Sequence, residues 1–247
     1  MCGTRSPSLK AQATEALIVS HGQPSNPDAG ERYLSSLAQK VALHMPDMNV
    51  RAATLAAPGK LEQAIACAEG LPLVFPLFMA DGWFVRKALP NRLGALKPRI
   101  LPPLGILPEL PALVAELLKE RILQQGWELE NTRLLIAAHG SATGPVPAEC
   151  TRAFAGLLLQ HIALGDTRIG FLEQRPFLHE TASDMDRQTI LLPLFAGDGG
   201  HVESDLPLAL KHAGFHGLRL PALGQLNFVP ELIATQLQKA SSCKVAA

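Results

Sequence analysis

The stretch LIVSHGQPSNP, residues 17–27, decides the fold because it recurs as LIAAHGSATGP over residues 135–145. A second block, VFPLFMADGWFV over residues 74–85, recurs as LLPLFAGDGGHV over residues 191–202, and a later LPPLG recurs as LPALG. The blocks keep one order and a nearly constant spacing of about 118 positions, which indicates a duplicated structural unit. The sequence therefore predicts two similar halves.

The composition excludes several classes of protein. Of the 247 residues, 47% are hydrophobic, and 22 basic and 22 acidic side chains give a formal net charge of zero. No nucleic-acid or membrane-surface partner is therefore expected. The four cysteines show no CxxC or metal-ligand spacing, which is typical of free thiols in a reducing compartment. Without a signal-peptide pattern or a membrane-length apolar run, a cytoplasmic protein is expected, and a homo-oligomer is left open.

Each half alternates between strand and helix patterns. Short apolar runs bounded by turn residues are followed by helical periodicity, as expected for buried parallel strands covered by helices. We therefore predict an α/β fold of two similar βα-repeat halves, each a parallel sheet flanked by helices, with a cleft between them. The predicted segments are a flexible N-terminus over residues 1–14, an N-terminal half over 15–128 and a C-terminal half over 129–247.

The ends of the two repeats give more specific predictions. RILPPL, residues 99–104, and LRLPAL, residues 218–223, are predicted to form the last strand of each half. RKALPNRLGAL, residues 86–96, is predicted to be a helix interrupted by Pro90, because proline lacks the amide hydrogen that a helix interior uses.

Three residues that suit metal chemistry follow predicted strands of the second half. His139 ends TRLLIAA, Glu173 ends TRIGFLE, and His201 follows QTILLPLF across a glycine-rich loop. Ligands of parallel sheets bind beyond the carboxyl ends of the strands, so all three should meet at one rim. Imidazole and carboxylate suit Co²⁺, Fe²⁺, Ni²⁺ or Zn²⁺ and also accept protons. We predict these residues to be catalytic, with His139 and His201 as the metal ligands.

The first half lacks this set. His21 occupies the position of His139, but Phe84 stands where the second half has His201, and Ala56 stands where it has Glu173. The sequence therefore predicts a single metal site, in the second half, with His21 and Phe84 on the opposing wall in contact with substrate.

Charged residues near these positions differ between the halves. Arg86 and Lys87 follow Phe84, and we predict that Arg86 binds an acidic substrate, although a solvated helix start explains both cations equally well. The corresponding part of the second half is acidic and is expected to attract a metal cation through Asp198, Glu203 and Asp205.

Glycines and aromatic residues flank the same positions. Gly199 and Gly200 are predicted to let the backbone approach substrate closely or to adopt positive φ, or else to form a tight connection only. Trp83 and Phe84 are predicted to form a flat apolar wall for a planar ligand or to fill core. No Walker or GxGxxG pattern is present, so no nucleotide cofactor is expected.

The ordered HG, FLE, PLF, GHV and DLP motifs resemble those of class II tetrapyrrole chelatases, above all the CbiX-type sirohydrochlorin chelatases. The resemblance extends from about residue 16 to 237 and is weaker to protoporphyrin ferrochelatase. It implies ATP-independent insertion of Co²⁺ or Fe²⁺, as substrate, into sirohydrochlorin during cobalamin or sirohaem synthesis. By motif, His139 and His201 match the family's two active-site histidines, Glu173 its acidic residue, and His21 the histidine of the other repeat.

Two functions of other classes are open alternatives. A metal or tetrapyrrole carrier would keep the cleft without catalysing metallation. A hydrolase or transferase would use Ser141 as nucleophile with His139 as base, but adjacent residues at a strand end rarely point at each other, and no GxSxG motif is present.

Overall fold

The computed structural model describes residues 14–197 and 199–242, in which two halves follow one order of elements. The strands of the first half are β1 (Thr14–Ser20), β2 (Met48–Thr54) and β3 (Leu73–Pro76), and its helices are α1 (Pro27–Leu43), α2 (Lys60–Ala66), α3 (Leu89–Leu93) and α4 (Leu110–Gln124). The strands of the second half are β4 (Arg133–Ala138), β5 (Asp166–Phe171), β6 (Thr189–Pro193) and β7 (Leu218–Arg219), and its helices are α5 (Val146–Leu158), α6 (Leu178–Ala182), α7 (Leu206–Ala213) and α8 (Val229–Ser242). The N-terminus predicted to be flexible lies outside these residues, apart from Thr14.

Each half contains one parallel sheet. The strand order is β2-β1-β3 in the first half and β5-β4-β6-β7 in the second, so equivalent strands occupy equivalent places. The predicted fold class is confirmed. In the described part of the chain, no helix is long and apolar enough to span a membrane.

The two sheets share one core. Side chains alternate across β1, so that Ile18 belongs to the principal cluster whereas Leu17 packs with α2 and α3 on the outer face. β4 repeats this alternation with Ile136 and Leu135. The principal cluster includes residues of α1, α4, α5 and α8, which form a helical layer between the sheets. The two halves are therefore joined by one packed layer of helices.

The predicted last strands are shorter than the sequence suggested. RILPPL forms only an isolated bridge between Ile100 and Val74, and LRLPAL pairs only over Leu218–Arg219. The first of these segments continues into Pro102 and Pro103, which have no amide hydrogen to donate to a neighbouring strand.

The predicted interruption at Pro90 is wrong, because the chain accommodates this proline with a π-helical turn. This turn spans Phe84–Ala88, and the amide of Leu89 donates to the carbonyl of Phe84, five residues back. Pro90 then lies in the first turn of α3, where its missing amide hydrogen leaves no bond unmade. The second half repeats the wide turn at His201–Asp205, directly before Leu206 and Pro207.

Candidate metal site

Strand pairing places Glu173 beside His139. Beyond the last residues of β4 and β5, the amide of Leu172 donates to the carbonyl of Ala138, and the amide of Glu173 donates to the carbonyl of His139, both at 3.0 Å. Main-chain hydrogen bonds between the two segments therefore continue for two residues past the paired strands. Because its register is fixed by the buried strands, the carboxylate and the imidazole project from adjacent positions of one rim.

His201 reaches the same rim from the loop after β6. Its Nε2 atom lies 2.9 Å from Nε2 of His139, and the two rings are perpendicular with centroids 4.2 Å apart. Oε1 of Glu173 lies 3.5 Å from the same nitrogen of His139. One ligand atom from each residue falls within 4.8 Å of the others. The structure thus brings together the three residues predicted from the sequence.

Hydrogen bonds fix which ring nitrogens carry hydrogen. Nδ1 of His139 lies 3.0 Å from the carbonyl oxygen of Gly140, and Nδ1 of His201 lies 2.7 Å from Oδ2 of Asp205. Both oxygens accept only, so each Nδ1 donates and each neutral ring keeps a lone pair on Nε2. Two lone pairs at 2.9 Å repel, and the contact is favourable only when a proton or a metal cation lies between them.

This donor set fits a first-row divalent cation. Bonds of about 2.0–2.1 Å from one tetrahedral ion would place two imidazole nitrogens roughly 3.4 Å apart. The two Nε2 atoms, 2.9 Å apart, lie close to that spacing. With Glu173 as a third ligand, the ion keeps coordination positions for incoming substrate. The side chains of His139, Glu173 and His201 are 38%, 45% and 47% exposed, so a large ligand can reach them.

The first half keeps the same backbone without the ligands. The amide of Ala56 donates to the carbonyl of His21 at 2.8 Å, as Glu173 does to His139. Nδ1 of His21 lies 2.7 Å from the carbonyl oxygen of Gly22. The rings of Phe84 and His21 pack nearly perpendicular, with their centroids 4.3 Å apart. Phe84 thus takes the place beside His21 that His201 takes beside His139. These contacts agree with the pairing of Ala56 with Glu173 and of Phe84 with His201.

The first-half aromatic residues are exposed rather than buried in core. Trp83 is 66% exposed and Phe84 is 38% exposed. Phe84 lies nearly parallel to Phe78 at 6.1 Å, whereas Trp83 stands across it at an interplanar angle of 78°. They present one aromatic surface beside His21, although its rings are not coplanar.

Arg86 is already paired within the first half. Its Nη2 atom lies 2.7 Å from Oδ2 of Asp81, and this hydrogen bond and charge raise the pKa of Arg86. Lys87 has no ion pair among the described residues. Both cations border a groove of about 580 Å³ whose other lining residues are Asp81, Val85, Ile100, Leu101, Pro102, Pro103 and Ile106.

The glycine-rich loop has a structural role that the sequence did not reveal. The amide of Gly200 donates to Oε1 of Gln23 at 3.0 Å, and a Cβ atom at Gly200 would lie 2.6 Å from Nε2 of Gln23. Gly200 therefore accommodates a side chain of the other half. Gly200 does not adopt the alternative of positive φ, since its φ is −49°. Asp198 lies outside the described residues.

Sequence reasoning missed the roles of two residues, Gln23 and Asp205. Asp205 was expected only to attract a cation, yet it bonds directly to the His201 ring. Its spacing of four residues after His201 was an available signal, since such pairs meet on one helical face. Gln23 gave no local signal. The hydroxyl of Ser141 lies 3.1 Å from that of Thr143, and no hydrogen bond to His139 supports a nucleophile within residues 14–197 and 199–242.

Comparisons with known proteins support a chelatase relationship. The CbiX family model matches residues 133–240. The structure is similar to that of CbiX, described as the terminal enzyme for biosynthesis of siroheme in denitrifying bacteria, at 45% sequence identity and a TM-score of 0.83, covering 92% of this chain and 99% of that one. No curated protein sequence gave a significant match.

Two structures of SirB from Bacillus subtilis share the fold at lower identity. SirB with Fe³⁺ has 17% identity and a TM-score of 0.69, with coverage of 93% of this chain and 96% of that chain. The sirohydrochlorin chelatase SirB from subspecies spizizenii, in complex with cobalt, has 14% identity and a TM-score of 0.66, with coverage of 94% and 97%.

Proposed function

This chain belongs to the CbiX family of class II tetrapyrrole chelatases, and we propose that it inserts a divalent metal, Fe²⁺ or Co²⁺, into sirohydrochlorin without a nucleotide. The observation that carries the proposal is the meeting of two Nε2 lone pairs and one carboxylate on an exposed rim. A set of only three side-chain ligands leaves coordination positions through which the metal can pass to a second ligand.

Metal transfer must balance two protons. A divalent cation that enters a tetrapyrrole replaces two pyrrole N–H hydrogens, and each departing hydrogen needs an acceptor. When the cation leaves Nε2 of His139 and Nε2 of His201, each nitrogen regains one lone pair. The two Nε2 atoms lie 2.9 Å apart, so the histidine pair holds one proton between them. The carboxylate of Glu173, whose Oε1 lies 3.5 Å from Nε2 of His139, accepts the second proton or passes it onward.

The first half supplies the surface for the macrocycle. Trp83 and Phe84 expose aromatic faces, which suit a planar and largely apolar ring system. We assign His21 and Phe84 to this substrate wall. The two rims adjoin at Gln23, which follows His21 by two residues in the first half. Its side chain accepts a hydrogen bond from the amide of Gly200, the residue before His201.

We assign binding of the substrate's peripheral carboxylates to basic side chains and backbone groups of this rim. Lys87 has no ion pair among the described side chains, and Arg86 can share its guanidinium between Asp81 and substrate. We assign Gly199 and Gly200 to the proposed substrate site because they directly precede His201.

Iron is the first candidate for the physiological metal. The similar CbiX structure, at 45% identity, is described as the terminal enzyme for siroheme biosynthesis, and sirohaem is an iron tetrapyrrole. The ligand set itself accepts both metals, because imidazole and carboxylate bind Fe²⁺ and Co²⁺ alike. If Co²⁺ proves to be the better substrate, cobalamin synthesis becomes the favoured pathway.

The test is an absorbance assay with purified protein, sirohydrochlorin and each metal in turn, under anaerobic conditions for Fe²⁺. We expect metallation well above the uncatalysed rate, fastest with Fe²⁺. Binding of metal or tetrapyrrole without any acceleration would show a carrier instead of an enzyme. Rates with ATP and without it should be equal.

A further inference from the structure

The two metal-binding histidines are oriented in different ways. His139 donates from Nδ1 to a backbone carbonyl, that of Gly140, which no substitution of a neighbouring side chain removes. His201 donates from Nδ1 to a side chain, Oδ2 of Asp205, at 2.7 Å. The direction of the His201 lone pair therefore depends on one replaceable residue.

Asp205 has no other structural task in its helix. It precedes α7 at the N-cap position, yet its side chain makes no capping hydrogen bond. Its carboxylate is 53% exposed, and its ion pair within the described residues is with His201. An exposed carboxylate without a capping bond contributes little to stability, so its contact with His201 stands out as its role.

The internal repeat provides an independent observation. Asp205 corresponds to Ala88, as His201 corresponds to Phe84 and Glu173 to Ala56. The backbone around these positions is the same, since Arg86 donates its amide to Gly82 at 2.9 Å and Glu203 donates its amide to Gly199 at 2.9 Å. The half without the metal-binding histidine thus also lacks the carboxylate. Three positions differ together on one scaffold, which indicates one functional unit.

We infer that Asp205 is a positioning residue that holds His201 in the tautomer whose Nε2 lone pair faces the metal. The inference rests on the proposed metal transfer for its biological meaning, but it concerns metal binding by this chain's own residues. Without Asp205, Nδ1 of His201 has no acceptor among the described residues, and the ring can place hydrogen on Nε2 and turn away. Loss of such a supporting hydrogen bond typically weakens metal binding 10–100-fold.

Co²⁺ titration of the intact protein without tetrapyrrole tests the inference. Asp205→Ala is expected to weaken Co²⁺ binding about 10–100-fold. Asp205→Asn keeps an amide oxygen that accepts from Nδ1, so its loss should stay below about fivefold. Glu203→Ala is the control, because it removes an equal charge from the same turn without touching His201. It measures the long-range attraction between this charge and Co²⁺, and the affinity should change less than about threefold. The visible spectrum of bound Co²⁺ should change in Asp205→Ala and be preserved in Asp205→Asn.

Two results would overturn the inference. Unchanged affinity and spectrum in Asp205→Ala would show that His201 needs no partner. Equal losses in Asp205→Asn and Asp205→Ala would show that charge, rather than hydrogen-bonded orientation, matters. Chelatase assays of the same proteins test the proposed function separately from the role of Asp205. If the variants bind Co²⁺ as expected but the wild type does not metallate sirohydrochlorin, only the proposed function is contradicted.

Discussion

At the scale of single residues, His21 and His139 have matching backbone surroundings and different neighbours. Each donates from Nδ1 to the carbonyl of the following glycine, so each offers Nε2 as a lone pair. His139 meets a second imidazole and a carboxylate, whereas His21 meets the edge of Phe84. A single imidazole holds a divalent cation weakly, so we assign the proposed metal binding to the second half.

Alanine substitution should separate the three histidines. We expect His139→Ala and His201→Ala each to lower kcat for metallation of sirohydrochlorin by about 100-fold or more, because each removes a metal ligand and a proton acceptor. His21→Ala should lose less than about tenfold, as it removes part of the substrate wall. Initial rates by absorbance provide the measurement. Small and equal losses at all three positions would contradict the assignment.

At the scale of elements, the same local structures recur in both halves. Each rim consists of main-chain hydrogen bonds that continue past two paired strands, a His-Gly pair after the central strand and a π-helical turn before a Leu-Pro pair. The sequence predicted the strands and most helices, since periodicity and turn residues specify them. It did not predict the π turns or the short last strands, because hydrogen-bond partners around Pro90, Pro102 and Pro103 depend on backbone geometry.

The matching scaffolds predict a gain of function. The triple variant Ala56→Glu, Phe84→His, Ala88→Asp should bind a second equivalent of Co²⁺, because it restores all three missing side chains beside His21. The double variant Ala56→Glu, Ala88→Asp keeps Phe84 and should bind one equivalent. Isothermal titration gives the stoichiometry. A triple variant with native circular dichroism that still binds one equivalent would show that the first-half backbone is unsuitable.

Two equivalent glycines should be essential for the turns that support the rims. A Cβ atom at Gly105 would collide with the carbonyl of Met79, and one at Gly224 with the carbonyl of Ala196. Each substitution to alanine should lower the free energy of unfolding by about 1–3 kcal/mol, as typical overpacking does. Gly156 lies in α5 with no atom near its missing Cβ, so Gly156→Ala should raise stability by about 0.5–1 kcal/mol. Urea denaturation distinguishes the two signs.

At the scale of the whole molecule, the halves are interlocked rather than merely adjacent. Helices α1, α4, α5 and α8 fill the space between both sheets and belong to one cluster. The hydroxyl of Tyr33 lies within hydrogen-bond distance of two carbonyl oxygens of the other half, 3.1 Å from that of Ala196 and 2.9 Å from that of Gly224. The two predicted segments, 15–128 and 129–247, therefore correspond to the two sequence repeats. They share one hydrophobic core.

A shared core predicts cooperative unfolding. The full chain should unfold in one transition, with equal calorimetric and van't Hoff enthalpies. Leu118, fully buried in α4, belongs to the shared cluster, so Leu118→Ala should lower the free energy of unfolding by about 2–5 kcal/mol without splitting the transition. Leu123→Ala is the matched control, because that side chain is 79% exposed. Two resolved transitions in the wild type would indicate independent halves.

The sequence by itself determined the duplication, the parallel α/β architecture and the convergence of His139, Glu173 and His201, because strand periodicity and the common direction of parallel strands are local properties with a fixed geometric outcome. It also revealed that the first half lacks the ligand set. Only the tertiary structure decided the Nε2 contact of the two histidines, the orientation of His201 by Asp205, the bond between Gln23 and Gly200, and the single core. These features depend on side-chain rotamers and on the packing of residues far apart in sequence, which no local pattern encodes.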